Sequence, residues 1–459
     1  MLKRKIDEKL IFWKENRKQA LLVKGARQVG KTYSIEQFGK TFDSFIEINF
    51  ADHTEWIEPF ASLPNLDTFY LRLSAIAGEK MIPGKTLIFF DEIQLLYRRR
   101  EEMRKEGKLP AASLDVVSLM KPLVNDGRYR FILSGSLLDV TLSDVFFRPT
   151  GYLDVLEMFP LDFEEFLTAK GVGQDAIRYV QDCFEKKIPV DSAVHATFLD
   201  VYREYVLIGG MPEAVDAYLK TKNLYAVQTA QENIIALYKA DIADYREGND
   251  EKLRLREVYD AIPSELNSKN KRFISSHVVS PSYFKNRNLQ DEFLWLTAAG
   301  VAIPTYNVDE PVSPLSLASN RKTLKLFLND IGLLDAALLP TGIRQKLLQG
   351  EQDVNYGAPY ENAVAEELNA HGFDGKLYYY NSKKHGEVDF LVEYENKVLP
   401  IEVKSGKPNS MNAYNHSVLN NLIKMYHLEE AYVLGQTNVL KEDDHIWDLP
   451  IYMIFVLKR

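Results

Sequence analysis

Short apolar runs recur through the first third of the chain. Ala20-Leu21-Leu22-Val23 is one, Leu87-Ile88-Phe89-Phe90 a second, and Phe131-Ile132-Leu133 ends a third. Runs of this length without polar alternation predict strands covered on both faces, as in a parallel sheet. Phe45-Ile46-Glu47-Ile48-Asn49-Phe50 alternates instead and predicts one more strand. Residues 32–38 read as a helix. Strands and helices taking turns in this way predict an α/β domain with a parallel sheet.

After residue 161 the pattern changes. Residues 162–224 read as helical, with Asp162 as N-cap and Glu165 three positions on. Gly209-Gly210 followed by Pro212 marks a forced turn between helices. Leu253, Leu255, Val258, Ile262 and Leu266 form an uneven helical stripe that Pro263 is expected to break. Residues 291–299 predict another helix, with Gly300 as its stop. Residues 301–306 and 322–327 then flank a Pro/Ser-rich loop, so helices followed by a hairpin give a winged-helix order. Further on, Glu361 opens an amphipathic helix, and residues 387–393 and 398–403 predict a second hairpin. These changes divide the chain at 1–161, 162–248, 249–345 and 346–459. A chain of 459 residues is too long for one core.

The chemistry begins at Gly25-Ala26-Arg27-Gln28-Val29-Gly30-Lys31-Thr32, which fits the phosphate-binding loop G-x-x-x-x-G-K-[ST] between a strand and a helix. Gly25 and Gly30 let the backbone close around phosphate oxygens where a Cβ would collide. Loop amides and the helix N-terminus face the anion. Lys31 is expected on the β- and γ-phosphates and Thr32 on Mg²⁺, so ATP and Mg²⁺ are the implied cofactors, with Gly25 to Thr32 and the adjoining Tyr33 lining the nucleotide. Hydrolysis needs more acid. Thr86-Leu87-Ile88-Phe89-Phe90-Asp91-Glu92 delivers two carboxylates at the C-terminal end of a strand, the edge where ligands sit in parallel sheets. Asp91 is expected to complete the metal site and Glu92 to polarise water; an N-cap role for the next helix is compatible with both. Ser134, at the end of the strand-like segment 129–133, stands where AAA-type ATPases place a γ-phosphate sensor. Asn49 is a weaker candidate for the same site. Arg148, with Arg27 second, is the candidate to stabilise charge on the departing phosphate; a surface arginine is the alternative, and a finger from a neighbouring subunit leaves an oligomer open.

With these residues in place, the chain resembles a prokaryotic AAA-type ATPase family whose members carry a C-terminal domain of unknown function. The phosphate loop, Phe90-Asp91-Glu92-Ile93-Gln94, Leu133-Ser134-Gly135-Ser136 and the segment from Phe159 to Leu167 carry the likeness. It continues at Gly209-Gly210-Met211-Pro212, Leu328-Asn329-Asp330-Ile331-Gly332, Tyr360-Glu361-Asn362, Gly386-Glu387-Val388-Asp389-Phe390 and Ile401-Glu402-Val403-Lys404-Ser405-Gly406. The resemblance implies a multidomain α/β protein: a RecA/AAA-like parallel-sheet P-loop NTPase, a helical and winged-helix middle, and a small α/β nuclease-like end of PD-(D/E)xK type. One departure is Gly151-Tyr152, where many members have Gly-Arg.

The C-terminal hairpin would set Asp389 beside Glu402. Two carboxylates at one place repel unless a divalent cation neutralises them. Lys404 shares a strand face with Glu402 and is placed to position water, and Glu361 adds a third acid as a metal ligand. The pattern suits a metal-dependent nuclease; a surface salt bridge is the plain alternative, and such a fold can bind without cutting. In the middle, Lys269, Lys271, Arg272, Lys285 and Arg287, with Tyr283 and Phe284 among them, suit a nucleic-acid backbone. Packing between domains is the competing reading.

Composition narrows the field. The formal net charge is −9, which disfavours broad nonspecific DNA binding but not a local basic face. The charged stretch 98–108 reads as a solvated face. A single cysteine, Cys183, excludes a cysteine metal cluster and suits a reducing compartment. No run of 18 apolar residues exists, so a cytoplasmic protein without a membrane span is expected. The eight histidines show no pair at metal-ligand spacing. The expectation is an ATP-hydrolysing AAA-type protein acting on or with nucleic acid, DNA rather than RNA. The alternative is a nucleotide-gated switch or scaffold whose C-terminal domain binds a protein without cleavage. A small-molecule kinase has only the phosphate loop behind it.

Overall fold

The computed structural model describes residues 2–136, 151–245, 249–268, 289–350, 357–405, 413–441 and 445–459. The chain forms two compact units. One takes Lys3–Phe159 with Ala298–Gly300; the other takes Pro160–Thr297 and Val301–Arg459.

The first unit is built on five strands: β1 (Ala20–Lys24), β2 (Ser44–Asn49), β3 (Thr86–Asp91), β4 (Arg130–Gly135) and β5 (Leu153–Glu157). They lie in the order β2-β3-β4-β1-β5, and every neighbouring pair is parallel. β3 is buried along its full length, and β1 along all but its last residue, as the unbroken apolar runs require. On one side, Phe50, Phe60, Phe69, Phe90 and Phe131 form a cluster with ring centroids 5.9 to 6.3 Å apart. Rings at this spacing add about 0.5–1.5 kcal/mol per pair beyond burial. Phe50 and Phe90 of that cluster adjoin Asn49 and Asp91 in the chain.

In the second unit the expected capping box is present. Asp162 accepts from the Glu165 N–H at 2.9 Å, and Glu165 reaches back to the Asp162 N–H at 3.2 Å, opening the helix Phe163–Ala169. Pro263 does not break its helix, which runs from Asn249 to Leu266. It sits in the last turn, where only one intrahelical hydrogen bond is lost, and Leu255, Val258, Ile262 and Leu266 stay buried.

The remaining strands are β6 (Ala302–Val308), β7 (Ser319–Leu328), β8 (Tyr378–Ser382), β9 (Gly386–Tyr394), β10 (Lys397–Val403), β11 (Ala431–Gly435), β12 (Leu440–Lys441) and β13 (Ile446–Pro450). They make one mixed sheet in the order β12-β13-β11-β10-β9-β8-β6-β7. The β6–β7 hairpin, expected as a wing, is instead built into this sheet: β6 pairs in parallel with β8. The reason is legible in burial. Both faces of the hairpin are covered along much of its length, and a wing would leave one of them to water.

One helix holds this unit together. Gly357–Leu368 is buried at every position from Ala358 to Leu368, although it carries four polar residues that lack apolar substitutes. Three of the four bond to backbone groups, the usual fate of buried polar groups. Asn362 makes two bonds to the Leu328 backbone, at 2.8 and 3.0 Å. Glu366 accepts from the Ile331 N–H at 2.8 Å, and Glu367 from the Phe163 N–H at 2.5 Å. Two helix N-termini are thereby satisfied by acids from a third helix. Asp330 completes one of them, accepting from Leu333 at 3.0 Å and from Gly210 at 2.6 Å. The forced turn at Gly209-Gly210 exists for this approach: a Cβ on Gly210 would stand 2.0 Å from the Leu161 carbonyl oxygen.

Candidate functional site

β1 ends at Lys24, and the chain turns through the loop 25–30 into the helix Lys31–Gly39. Gly25 has φ +151° and a Cβ there would lie 2.2 Å from the Met158 carbonyl oxygen, so only glycine fits. Gln28 and Gly30 also take positive φ, which curls successive amides toward one side. Lys31 is buried; its ammonium donates to the Gly25 and Ala26 carbonyls at 2.9 and 2.7 Å. Val29 is buried, Arg27 is half-buried in the loop, and Tyr33 is exposed on the helix.

β4 lies between β1 and β3, so the ends of three strands converge here. Val23 pairs with Ser134, and Asn49 with Asp91. The Thr32 hydroxyl donates to Asp91 Oδ2 at 2.6 Å. The Ser134 hydroxyl donates to Asp91 Oδ1, as does the Glu92 N–H at 2.9 Å. Asp91 is 1% exposed and fully engaged. Thr32 and Asp91, the two groups expected around magnesium, thus meet directly, and a hydroxyl and a carboxylate are oxygen donors of the kind Mg²⁺ takes. Glu92 has φ +56°, a strained conformation for a residue with a side chain. Gln94 donates to its carboxylate and also lies 3.3 Å from Ser136 Oγ. Nearby, Glu47 is pushed up to about 7 by burial and then by Glu36, Asp91 and Asp52. A bound cation would relieve that excess of negative charge. Asn49 turns its amide oxygen to the Ala51 N–H at 2.8 Å.

Arg4 was invisible to sequence reasoning as a site residue. It is 6% exposed, and its guanidinium donates to the Val29 carbonyl at 2.9 Å and the Phe159 carbonyl at 2.7 Å. It clamps the back of the phosphate loop to the segment after β5. Nothing in the local pattern distinguishes it from Lys3 or Lys5. Arg148 lies outside the described residues, as do Lys269, Lys271, Arg272, Tyr283, Phe284, Lys285 and Arg287.

In the second unit β9 and β10 form the expected antiparallel hairpin, with Ile401 opposite Phe390. Asp389 and Glu402 follow next in that register and are both buried. Asp389 accepts from the Val403 N–H at 2.9 Å, and Lys404 donates to Glu402 at 2.5 Å. Burial and the charge of Asp389 push Glu402 up to about 8, against the pull of Lys404. Glu361 joins them electrostatically from its helix. The set does not fit a divalent cation: among the described residues no three acidic, histidine or cysteine side chains stand close enough to hold one.

Three stretches of the chain match known protein families. Residues 17–167 match an AAA domain, residues 199–346 a domain of unknown function (DUF8612), and residues 356–454 a second one (DUF4143). The match to the first unit supports an AAA-type ATPase. No curated protein matches the chain. Among solved structures, it is similar to the Walker-type ATPase PABY2304 of Pyrococcus abyssi, at 15% identity over 73% of this chain and 96% of that one, with a TM-score of 0.39. It is similar also to AMPPCP-bound DnaA from Aquifex aeolicus, at 12% identity, 63% and 85% coverage and a TM-score of 0.27. The ADP form of the Aeropyrum pernix ORC2 protein gives 12% identity, 76% and 93% coverage and 0.25. Likenesses this distant transfer no ligand and no partner. Among the described residues no helix is long and apolar enough to cross a membrane.

Proposed function

We propose that the chain binds and hydrolyses ATP with Mg²⁺ in its first unit and uses the cycle to act with nucleic acid, DNA rather than RNA. The observation that carries the ATPase reading is the meeting of Thr32 with Asp91 at 2.6 Å beside a glycine-built loop. Lys31 holds the β- and γ-phosphates in place of the loop carbonyls it now contacts. Thr32 and Asp91 would hold Mg²⁺, which would supply neutralisation of the phosphate charge. Ser134 fixes the Asp91 carboxylate through its hydroxyl. Glu92 accepts a hydrogen bond from the attacking water and orients it; Gln94 holds the Glu92 carboxylate until that water arrives. Arg148 or Arg27 is the arginine that stabilises the departing phosphate, and a finger from a second copy would make the active form an oligomer.

The nucleic-acid half of the reading rests on the basic stretch 269–287. ATPase rate measured with and without duplex DNA, single-stranded DNA and RNA tests it. Stimulation by DNA that falls with salt supports it, and equal rates in all four conditions defeat it.

A second reading has its own observation. The net charge is −9 and the acidic cluster of the C-terminal sheet is closed to solvent, so a nucleotide-gated switch or scaffold that binds a protein partner without cleavage is the alternative. Nucleotide-dependent change in protease sensitivity without any DNA effect favours it.

A further inference from the structure

The acidic set of the second unit already encloses a cation from another strand. Lys325 leaves β7 with its side chain wholly shielded from water. Its ammonium stands 2.7 Å from Glu387 Oε1 and 4.9 Å above the Tyr379 ring. Glu361, Glu387 and Asp389 all act on it electrostatically. A lysine so buried is tolerated only when paired, because an uncompensated charge away from water costs several kcal/mol. Here the direct partner is Glu387, and two of the residues that the nuclease pattern assigns to a metal, Glu361 and Asp389, add to it electrostatically.

One oxygen each of Glu387, Asp389 and Glu402 is turned to the chain itself. Asn381 donates to Glu387, the Val403 N–H to Asp389, and Lys404 to Glu402. Glu361, Asp389 and Glu402 are each less than a tenth exposed. Magnesium bound at such a place keeps several waters and needs near-octahedral oxygens about 2.0–2.1 Å away. A phosphodiester would need access as well. At these three carboxylates neither is provided.

We propose that the Lys325 ammonium is the resident cation of this cluster, so that the C-terminal sheet takes no divalent metal there and cuts no phosphodiester. Lys325 then ties the β6–β7 hairpin to β9 in the way a metal ties ligands from separate strands. The claim does not depend on ATP hydrolysis.

The test is Mn²⁺ binding to the full chain without nucleotide, read as free Mn²⁺ by electron paramagnetic resonance. Wild type and Asp389→Asn are expected to bind the same amount. Loss of a bound Mn²⁺ in Asp389→Asn would overturn the proposal, and this pair decides it even if other variants do not fold. Lys325→Ala is expected to gain a Mn²⁺ site at least about tenfold tighter than any in wild type, with a rise in melting temperature on adding Mn²⁺ that wild type lacks. Adding Asp389→Asn to Lys325→Ala should remove that gain. A folded Lys325→Ala that gains no site would overturn the claim that the ammonium stands where a cation would.

Discussion

Thr32 donates its hydroxyl to Asp91 at 2.6 Å, joining the start of the phosphate-loop helix to the end of a strand two places away in the sheet. The contact ties residues 59 apart in sequence. It depends on β4 lying between β1 and β3, and on the apolar runs that bury all three.

Lys31→Ala and Asp91→Ala are expected to weaken nucleotide binding in the presence of Mg²⁺. A hydrogen bond to a charged group contributes about 1.5–3 kcal/mol, which is about 10- to 100-fold in affinity. Titration of a fluorescent ATP analogue checks this. Asp91→Ala should also abolish the difference between Mg²⁺ and EDTA, whereas Lys31→Ala should weaken both.

Glu92→Gln keeps the shape of the side chain and removes its basicity. Binding is expected to survive while single-turnover hydrolysis falls by about 10²- to 10⁴-fold. Equal rates in the two proteins would remove Glu92 from the reaction.

Arg4→Ala removes two buried, charged donors from the carbonyls of Val29 and Phe159. A loss of about 3 kcal/mol in the stability of the first unit is expected, from a per-bond value of about 1.5–3 kcal/mol. Urea unfolding followed by intrinsic fluorescence measures it. ATP should restore part of the loss, since a ligand of the native state stabilises by mass action.

Burial raises Asp330 to about 6, although the N–H groups of Gly210 and Leu333 favour its charged form. In the unfolded chain the same group titrates near 3.8. Between these values the folded protein keeps a proton that the unfolded chain has lost. Stability from this group therefore falls as pH rises through that window and is level above about 6. Asp330→Asn should flatten the urea midpoint against pH across the window; an unchanged profile would show that Asp330 does not titrate there.

Gly210→Ala would force a Cβ to within 2.0 Å of the Leu161 carbonyl oxygen. The backbone on both sides must move, and a loss of about 3 kcal/mol or more is expected. A melting temperature close to wild type would contradict the close approach.

Much of the first unit was readable because its strands are covered on both faces. β1, β3 and β4 announce themselves as apolar runs, and the loop motif lies at the end of one of them. β5 escaped notice: Leu153-Asp154-Val155-Leu156-Glu157 is an edge strand, partly wet on both sides, and carries no run. The β9–β10 hairpin was legible, but its neighbours were not, since β8 is three tyrosines and two polar residues with no period of two. Lys325 sat unremarked inside a predicted strand. A lysine there looks like one more outward-facing polar position, and only the fold brings it to Glu387. The helix Gly357–Leu368 looked amphipathic because its acids look like a wet face. Two of them, Glu366 and Glu367, instead cap helices elsewhere in the chain, a long-range fact that no local pattern records.

That buried helix also fixes a timetable. Glu367 bonds the Phe163 N–H across 204 residues, so the helix Phe163–Ala169 leaves the ribosome long before its cap has been made. The five parallel strands, all complete by Glu157, have no such wait. During translation the five-stranded sheet can close early, while the cap of the helix Phe163–Ala169 stays unmade until residue 367 emerges, and a nascent chain halted before then is a substrate for chaperones and proteases.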